Sequence, residues 1–135
     1  MSDSVDPNEE LYQTQYEKLG GEQGVLQLVK YFYDEMDGSE DLKELRATHS
    51  EDLTETREKL FLFLSGWLGG PSLYIEKHGH PRLRARHLPF KIGIIERDQW
   101  LHCMSIALRK VHADEITHHE LMQAFFKVAD FMRNQ

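Results

Sequence analysis

Apolar residues recur at three- and four-residue steps through four long stretches of this chain, and no stretch alternates them convincingly at every second position. In residues 22–37 the recurring set is Val25, Leu28, Val29, Phe32, Tyr33 and Met36, which places one broad apolar face on a helix. A second helix is expected from about 53 to 68, burying Leu60, Phe63, Leu64, Trp67 and Leu68, and Gly69-Gly70-Pro71 stops it. Residues 96–111 put Trp100, Cys103, Met104, Ala107, Leu108 and Val111 on one side. The last helix runs to about 133 and buries Leu121, Met122, Phe125, Val128, Ala129 and Met132. Helical periodicity without strands predicts an all-α fold.

Between these stretches the signals are shorter. Gly20-Gly21 and Gly38-Ser39 break the chain, and residues 40–46 read as a short helix carrying Leu42 and Leu45. A polar corner follows at 47–50. Asp52 with Glu55, and Thr117 with Glu120, have the spacing of capping boxes. Residues 72–81 read as a loop and 88–95 as irregular chain. Residues 1–15 are a polar extension with a weak apolar pattern at Leu11 and Tyr12, leaving one domain over 16–135.

Charge narrows the partners. Sixteen basic against 23 acidic side chains give a formal charge of -7, which disfavours nonspecific binding to nucleic acid or anionic membrane. The longest apolar run, 60–64, is far too short to span a bilayer. A single cysteine and an acidic, polar start without signal features lead to the expectation of a cytoplasmic protein.

Chemistry concentrates in EKHGHPRLRARHLPFKIGIIERDQW, residues 76–100, which holds three of the eight histidines. His87 stands apart. Leu83 lies four residues earlier on the same helix face, Pro89 ends the turn just after it, and Arg84 and Arg86 flank it. Two roles suit such a residue: a core imidazole bonded to a carbonyl, or the axial ligand of iron in an apolar cofactor with anionic edges. His78 and His80 read as solvated loop residues, since no cysteine or carboxylate pattern completes a zinc set. One or two of Arg82, Arg84 and Arg86 would suit a bound carboxylate, with Arg82 the most solvated. Nearby only Phe90 could serve a nucleic-acid patch. Tyr33 and Trp100 are amphipathic aromatics expected to face inward, where hydroxyl and indole N–H need partners.

Gly20-Gly21, Phe32-Tyr33, Asp52-Leu53-Thr54, Leu68-Gly69-Gly70-Pro71, HGHPRLRARHLPF at 78–90 and Asp98-Gln99-Trp100 together make the chain similar to the truncated haemoglobins of the second, O-type group. The likeness covers about residues 16–134. Its glycine pairs are nonspecific alone, whereas the histidine segment with a tryptophan thirteen residues beyond His87 is specific. The resemblance implies a globin-like, truncated two-over-two helical sandwich around haem b, with the proximal helix reduced to a turn. It places His87 at the proximal metal ligand, its second ring nitrogen fixed by a carbonyl such as that of Leu83. Tyr33 and Trp100 fall on distal hydrogen-bond donors, and His49 on a distal corner where relatives carry Tyr, Phe or His. Thr56, Lys59 and Tyr74 fall where relatives touch the haem or its propionates. Arg86, Leu60, Phe63 and Phe90 complete the implied cofactor-binding set. Leu60 stands where some relatives place a glutamine, which thins the expected distal network, and Lys91 replaces a more usual proline.

The function so implied is reversible binding of dioxygen and other diatomics by a monomer or weak homodimer. A redox use toward NO, peroxide or reactive oxygen species, as an NO dioxygenase or peroxidase-like activity, would need an external reductase, with His49 as candidate acid or base. The competing class is a cofactor-free helical interaction module.

Overall fold

The computed structural model describes residues 13–135. Most of the predicted extension, including Leu11 and Tyr12, lies outside the described residues. Among the described residues the chain is helical and without strands: α1 (Gln15–Lys18), α2 (Gly21–Gly38), a 3-10 turn (Glu40–Leu42) running into α3 (Lys43–Arg46), α4 (Thr54–Trp67), α5 (Leu73–His78), α6 (Leu83–His87), α7 (Ile94–Lys110) and α8 (Glu115–Phe131). The all-α expectation holds, and the long helices α2, α4, α7 and α8 fall on the four periodic stretches.

Helix α2 starts where Gly20 and Gly21, both left-handed at φ 102° and 67°, turn the chain out of α1. Gly24 then lets the helix pass the Leu19 carbonyl, because a Cβ there would lie 1.7 Å from that oxygen. Val25, Leu28, Val29, Phe32, Tyr33 and Met36 are all buried, as the periodicity requires. Helix α2 packs on α7 and α4, and α7 packs on α8. Phe32, Leu64, Met104, Leu108 and Phe125 interlock at the junction, each almost fully removed from water. Each such side chain contributes about 1.5–3 kcal/mol of transfer free energy. Cys103 sits in the same core, fully buried, and burial pushes its thiol pKa up to about 12.

Several local expectations need correction. The predicted loop at 72–81 contains α5, whose Tyr74 is buried and whose Glu76 N–H donates to the Ser72 carbonyl at 3.1 Å. Residues 88–95 are not wholly irregular, since α7 begins at Ile94. There Glu96 Oε1 accepts the Gly93 N–H at 2.8 Å. Neither proposed capping box forms as read. Asp52 Oδ1 instead accepts the Thr54 N–H at 2.9 Å in an Asx turn, while Glu55 pairs with Lys59 at 2.9 Å. The cap of α8 is Asp114, whose Oδ1 accepts the N–H of the buried Thr117 at 2.8 Å.

Gly24→Ala tests the α1–α2 junction. Alanine is the better helix former by about 1 kcal/mol, yet overpacking against backbone costs about 1–3 kcal/mol or more. Urea denaturation should therefore show a net loss of stability; an equal or higher midpoint would show that the junction relaxes freely.

Candidate functional site

A cavity of about 580 Å³ opens between α4, α6, α7, α8 and the corner after α3. That volume lies within the range of cofactor and small-molecule sites. His87 reaches it from the last residue of α6, a five-residue helix too short to hold itself in water. Pro81 and the left-handed Arg82, at φ 48°, set the direction in which α6 starts, and Pro89 follows its end. His87 Nδ1 lies 2.6 Å from the Leu83 carbonyl oxygen. A carbonyl can only accept, so Nδ1 carries the ring proton, and Nε2 of the neutral ring keeps its lone pair.

His49, which also lines the cavity, repeats the arrangement. Its Nδ1 is 3.0 Å from the Leu45 carbonyl oxygen, and Thr48 Oγ1 donates to that same oxygen at 2.6 Å. Burial is the largest influence on His49 and lowers its pKa, opposed by the Leu45 bond and reinforced by Arg46 and His87. The corner is braced by Arg46, whose guanidinium meets Asp37 at 2.6 Å and the carbonyls of Ser50 and Glu51 at 2.9 and 3.0 Å. Gln99 ties α3 to α7 by accepting the Leu45 N–H at 2.9 Å and donating to Glu44 at 2.8 Å. The position of His49 is thus fixed from two sides.

Tyr33 is 3 % exposed, and burial pushes its phenol pKa far up despite Arg57, whose guanidinium carbon lies 5.6 Å from the ring centre. Its ring meets that of His49 edge-on at 6.1 Å. Trp100 is wedged between Phe32 and Phe125, with centroids at 5.2 and 5.5 Å. Among the described residues neither Tyr33 Oη nor Trp100 Nε1 has a hydrogen-bond partner. Both side chains line the cavity, which leaves room there for a partner to each.

Leu60 and Phe63 of α4, Tyr74 of α5 and Phe90 beyond α6 line the cavity with largely apolar surface. Thr56, Lys59 and Arg86 also reach it. Lys59 is shared with Glu55, and Arg86 Nε donates to the Pro81 carbonyl at 2.8 Å. Every site residue expected from the sequence, His49 included, therefore meets at this one cavity. Arg86 alone of the three arginines lines it, as Arg84 turns to the chain's C-terminal end. His78 and His80 are exposed and outside it.

Other lining residues escaped the sequence reading. Thr48 and Arg97 gave no signal. Phe125, Val128, Ala129 and Met132 were visible only as an apolar helix stripe, which looks the same over a cavity as over a neighbouring helix. Arg97 is held by Asp98 and Asp130 at 3.0 and 2.8 Å.

The donor set fits a planar, largely apolar metal cofactor with acidic edges. His87 and His49 each have Nε2 freed by a backbone bond at Nδ1, apolar walls enclose the space, and Lys59 and Arg86 offer cationic contacts. Among the described residues no three His, Cys, Asp or Glu side chains converge on a metal position. One or two imidazoles without a third side-chain ligand suit a metal whose remaining ligands come with the cofactor.

Comparison with known proteins agrees. A model of the family described as bacterial-like globin matches residues 14–134. Over 96 residues, 71 % of this chain and 70 % of the relative, the sequence is 48 % identical to the group 2 truncated haemoglobin YjbI of Bacillus subtilis. The cold-adapted truncated haemoglobin of the Antarctic bacterium Pseudoalteromonas haloplanktis superposes with a TM-score of 0.88 at 46 % identity, covering 91 % of this chain and 99 % of that one. The group II two-on-two haemoglobin of Agrobacterium tumefaciens superposes with a TM-score of 0.87 at 36 % identity, covering 99 % and 98 %. The chain belongs to the bacterial-like globins and, within them, to the group II truncated haemoglobins with their two-over-two helical fold.

Proposed function

We propose that this protein holds haem b in the cavity described above, that His87 would hold its iron through Nε2, and that dioxygen and other diatomic ligands bind there. Membership of the globin family supports haem-based diatomic binding. The assignment to His87 rests on its 2.6 Å bond to the Leu83 carbonyl, which leaves one directed lone pair on Nε2. When bound, the haem would supply a redox-active iron able to take a diatomic ligand. Lys59 and Arg86 would receive the propionate carboxylates as charged hydrogen-bond donors. Thr56, Leu60, Phe63, Tyr74 and Phe90 would line the cofactor and keep water away from it.

On the distal side, Tyr33 Oη stays protonated because burial raises its pKa, so it remains a donor at any ordinary pH. Trp100 Nε1–H is a donor at every pH. A hydrogen bond to a ligand that gains negative character is worth about 1.5–3 kcal/mol, or roughly ten- to a hundredfold in affinity. Two such donors favour slow ligand release over simple transport. His49 differs. With Nδ1–H bonded to Leu45, its Nε2 is an acceptor in the neutral ring, and its lowered pKa keeps the ring neutral at pH 7. It would serve as a base, taking a proton from a peroxide at Nε2, in a redox use toward NO, peroxide or reactive oxygen species supported by an external reductase.

Three outcomes test this reading. Purified protein supplied with hemin should show an intense Soret band, and His87→Ala should lose the imidazole-ligated ferrous spectrum. A colourless wild type would favour a cofactor-free helical module instead. Tyr33→Phe and Trp100→Phe should each speed dioxygen dissociation roughly tenfold or more in stopped flow; unchanged rates in both would remove them from ligand binding. In steady-state peroxide turnover His49→Ala should slow the reaction, and turnover equal to wild type would deny His49 the role of base.

A further inference from the structure

The last residues of the chain are fastened to the turn that carries His87. Among the described residues the backbone-to-backbone bonds of helix α6 are all local, so its position in the fold must come from side chains. Arg84 Nη1 donates to the carbonyls of Phe131 and Arg133 at 2.8 and 3.1 Å, where α8 has ended and its final carbonyls lack helical partners. The Arg84 guanidinium also lies over the Phe131 ring at 5.6 Å. Asn134 completes the attachment. Its Nδ2 donates to the Phe90 carbonyl at 2.7 Å and, more weakly, to that of His87 at 3.4 Å. Its Oδ1 accepts the Ile92 N–H at 3.0 Å, and its own N–H donates to the Ile92 carbonyl at 2.9 Å. Asp130, one turn earlier, joins Arg97 of α7 to Arg133, so the end of α8 is itself anchored.

We propose that Asn134 and Arg84 are positioning residues that set the placement of His87 toward the cavity, the C-terminal segment acting as a clasp around α6 and the Phe90–Ile92 turn. This rests on the reading of His87 as the iron ligand. An asparagine side chain is the smallest group that can donate to two carbonyls and accept an amide from the same turn at once. Neither residue lines the cavity, so any effect on the metal must pass through His87.

The test uses the full chain loaded with haem, as wild type, Asn134→Ala, Asn134→Asp and Arg84→Lys. Asn134→Asp keeps the acceptor for the Ile92 amide but cannot donate when ionised, and Arg84→Lys keeps the charge but loses the planar guanidinium whose Nη1 reaches both carbonyls and whose face lies over Phe131. Hydrogen exchange over residues 83–92 should quicken in Asn134→Ala while α2 stays protected. The iron–imidazole stretching band in the ferrous resonance Raman spectrum should shift or broaden in all three variants. Haem transfer to an acceptor protein should quicken roughly tenfold, as expected for a group behind a metal ligand. Folded variants with a lowered melting temperature but an unmoved band and unchanged haem transfer would reduce the clasp to a stabilising contact and overturn the proposal. Should Asn134→Ala fail to fold, the band position and haem transfer of Arg84→Lys decide between the same two outcomes. His87→Ala separates the two levels. If it retains the wild-type iron–imidazole band, the assignment of His87 falls and the proposed purpose of the clasp with it. If it loses that band while the clasp variants keep theirs, only the clasp falls.

Discussion

An imidazole is a ligand only at a nitrogen without a proton, and in the neutral ring one proton is shared between two candidates. Here the Leu83 carbonyl, at 2.6 Å, claims that proton at Nδ1 of His87 and so decides which nitrogen is free. The bond spans one turn of a five-residue helix, and its direction is only as good as the placement of that helix. Pro81, Arg82 and Pro89 limit its backbone, while attachments from the far end of the chain fix it in space. The same device recurs at His49, where Leu45 takes Nδ1–H. Two histidines lining the same cavity are thus given the same proton arrangement by the same kind of partner, although one would ligate and the other would accept a proton.

The aromatic residues join the core to the cavity wall. Phe32, Trp100 and Phe125 lie in successive contact at 5.2 and 5.5 Å, and Trp67 stacks on Phe125 at 4.4 Å. These rings come from α2, α7, α8 and α4, the four helices that enclose most of the buried surface. A small displacement of any one helix would be felt by its neighbours, since packed interiors have few voids to absorb it. Polar tips on Tyr33 and Trp100 therefore stand on a stiff apolar base. Stiffness of that kind lets a donor act without first being ordered, which is where much of the strength of a preorganised hydrogen bond originates.

How much of this could be read from the chain itself depended on distance along it. The four long helices were legible because six or so apolar positions at helical spacing outweigh any local ambiguity. Helix α5 was not, since its six residues, Leu73–His78, offer less than two turns of pattern. Caps were misplaced because Asp52 and Thr117 each sit near a helix start, and the partner of a short polar side chain depends on backbone angles that spacing does not reveal. The residues expected at the site, reached through the resemblance carried by the 78–90 segment and Trp100, do line one cavity. Arg97 and the Phe125–Met132 stripe were not legible, because nothing in a helical stripe says whether it faces side chains or open space. Asn134 lies 47 residues from His87, beyond the reach of any local rule.

Cys103 leads to a different kind of conclusion. A lone cysteine in the sequence invites an inference about the redox character of its surroundings, but this sulfur has little contact with them. It is fully enclosed between the long helices, and its proton is held until about pH 12. Sulfenylation, alkylation and disulfide exchange all begin from the thiolate, a form that the folded molecule scarcely populates. An oxidant generated in the neighbouring cavity, or met outside, would find no nucleophilic sulfur until the helices part. The residue therefore reports on unfolding rather than on habitat.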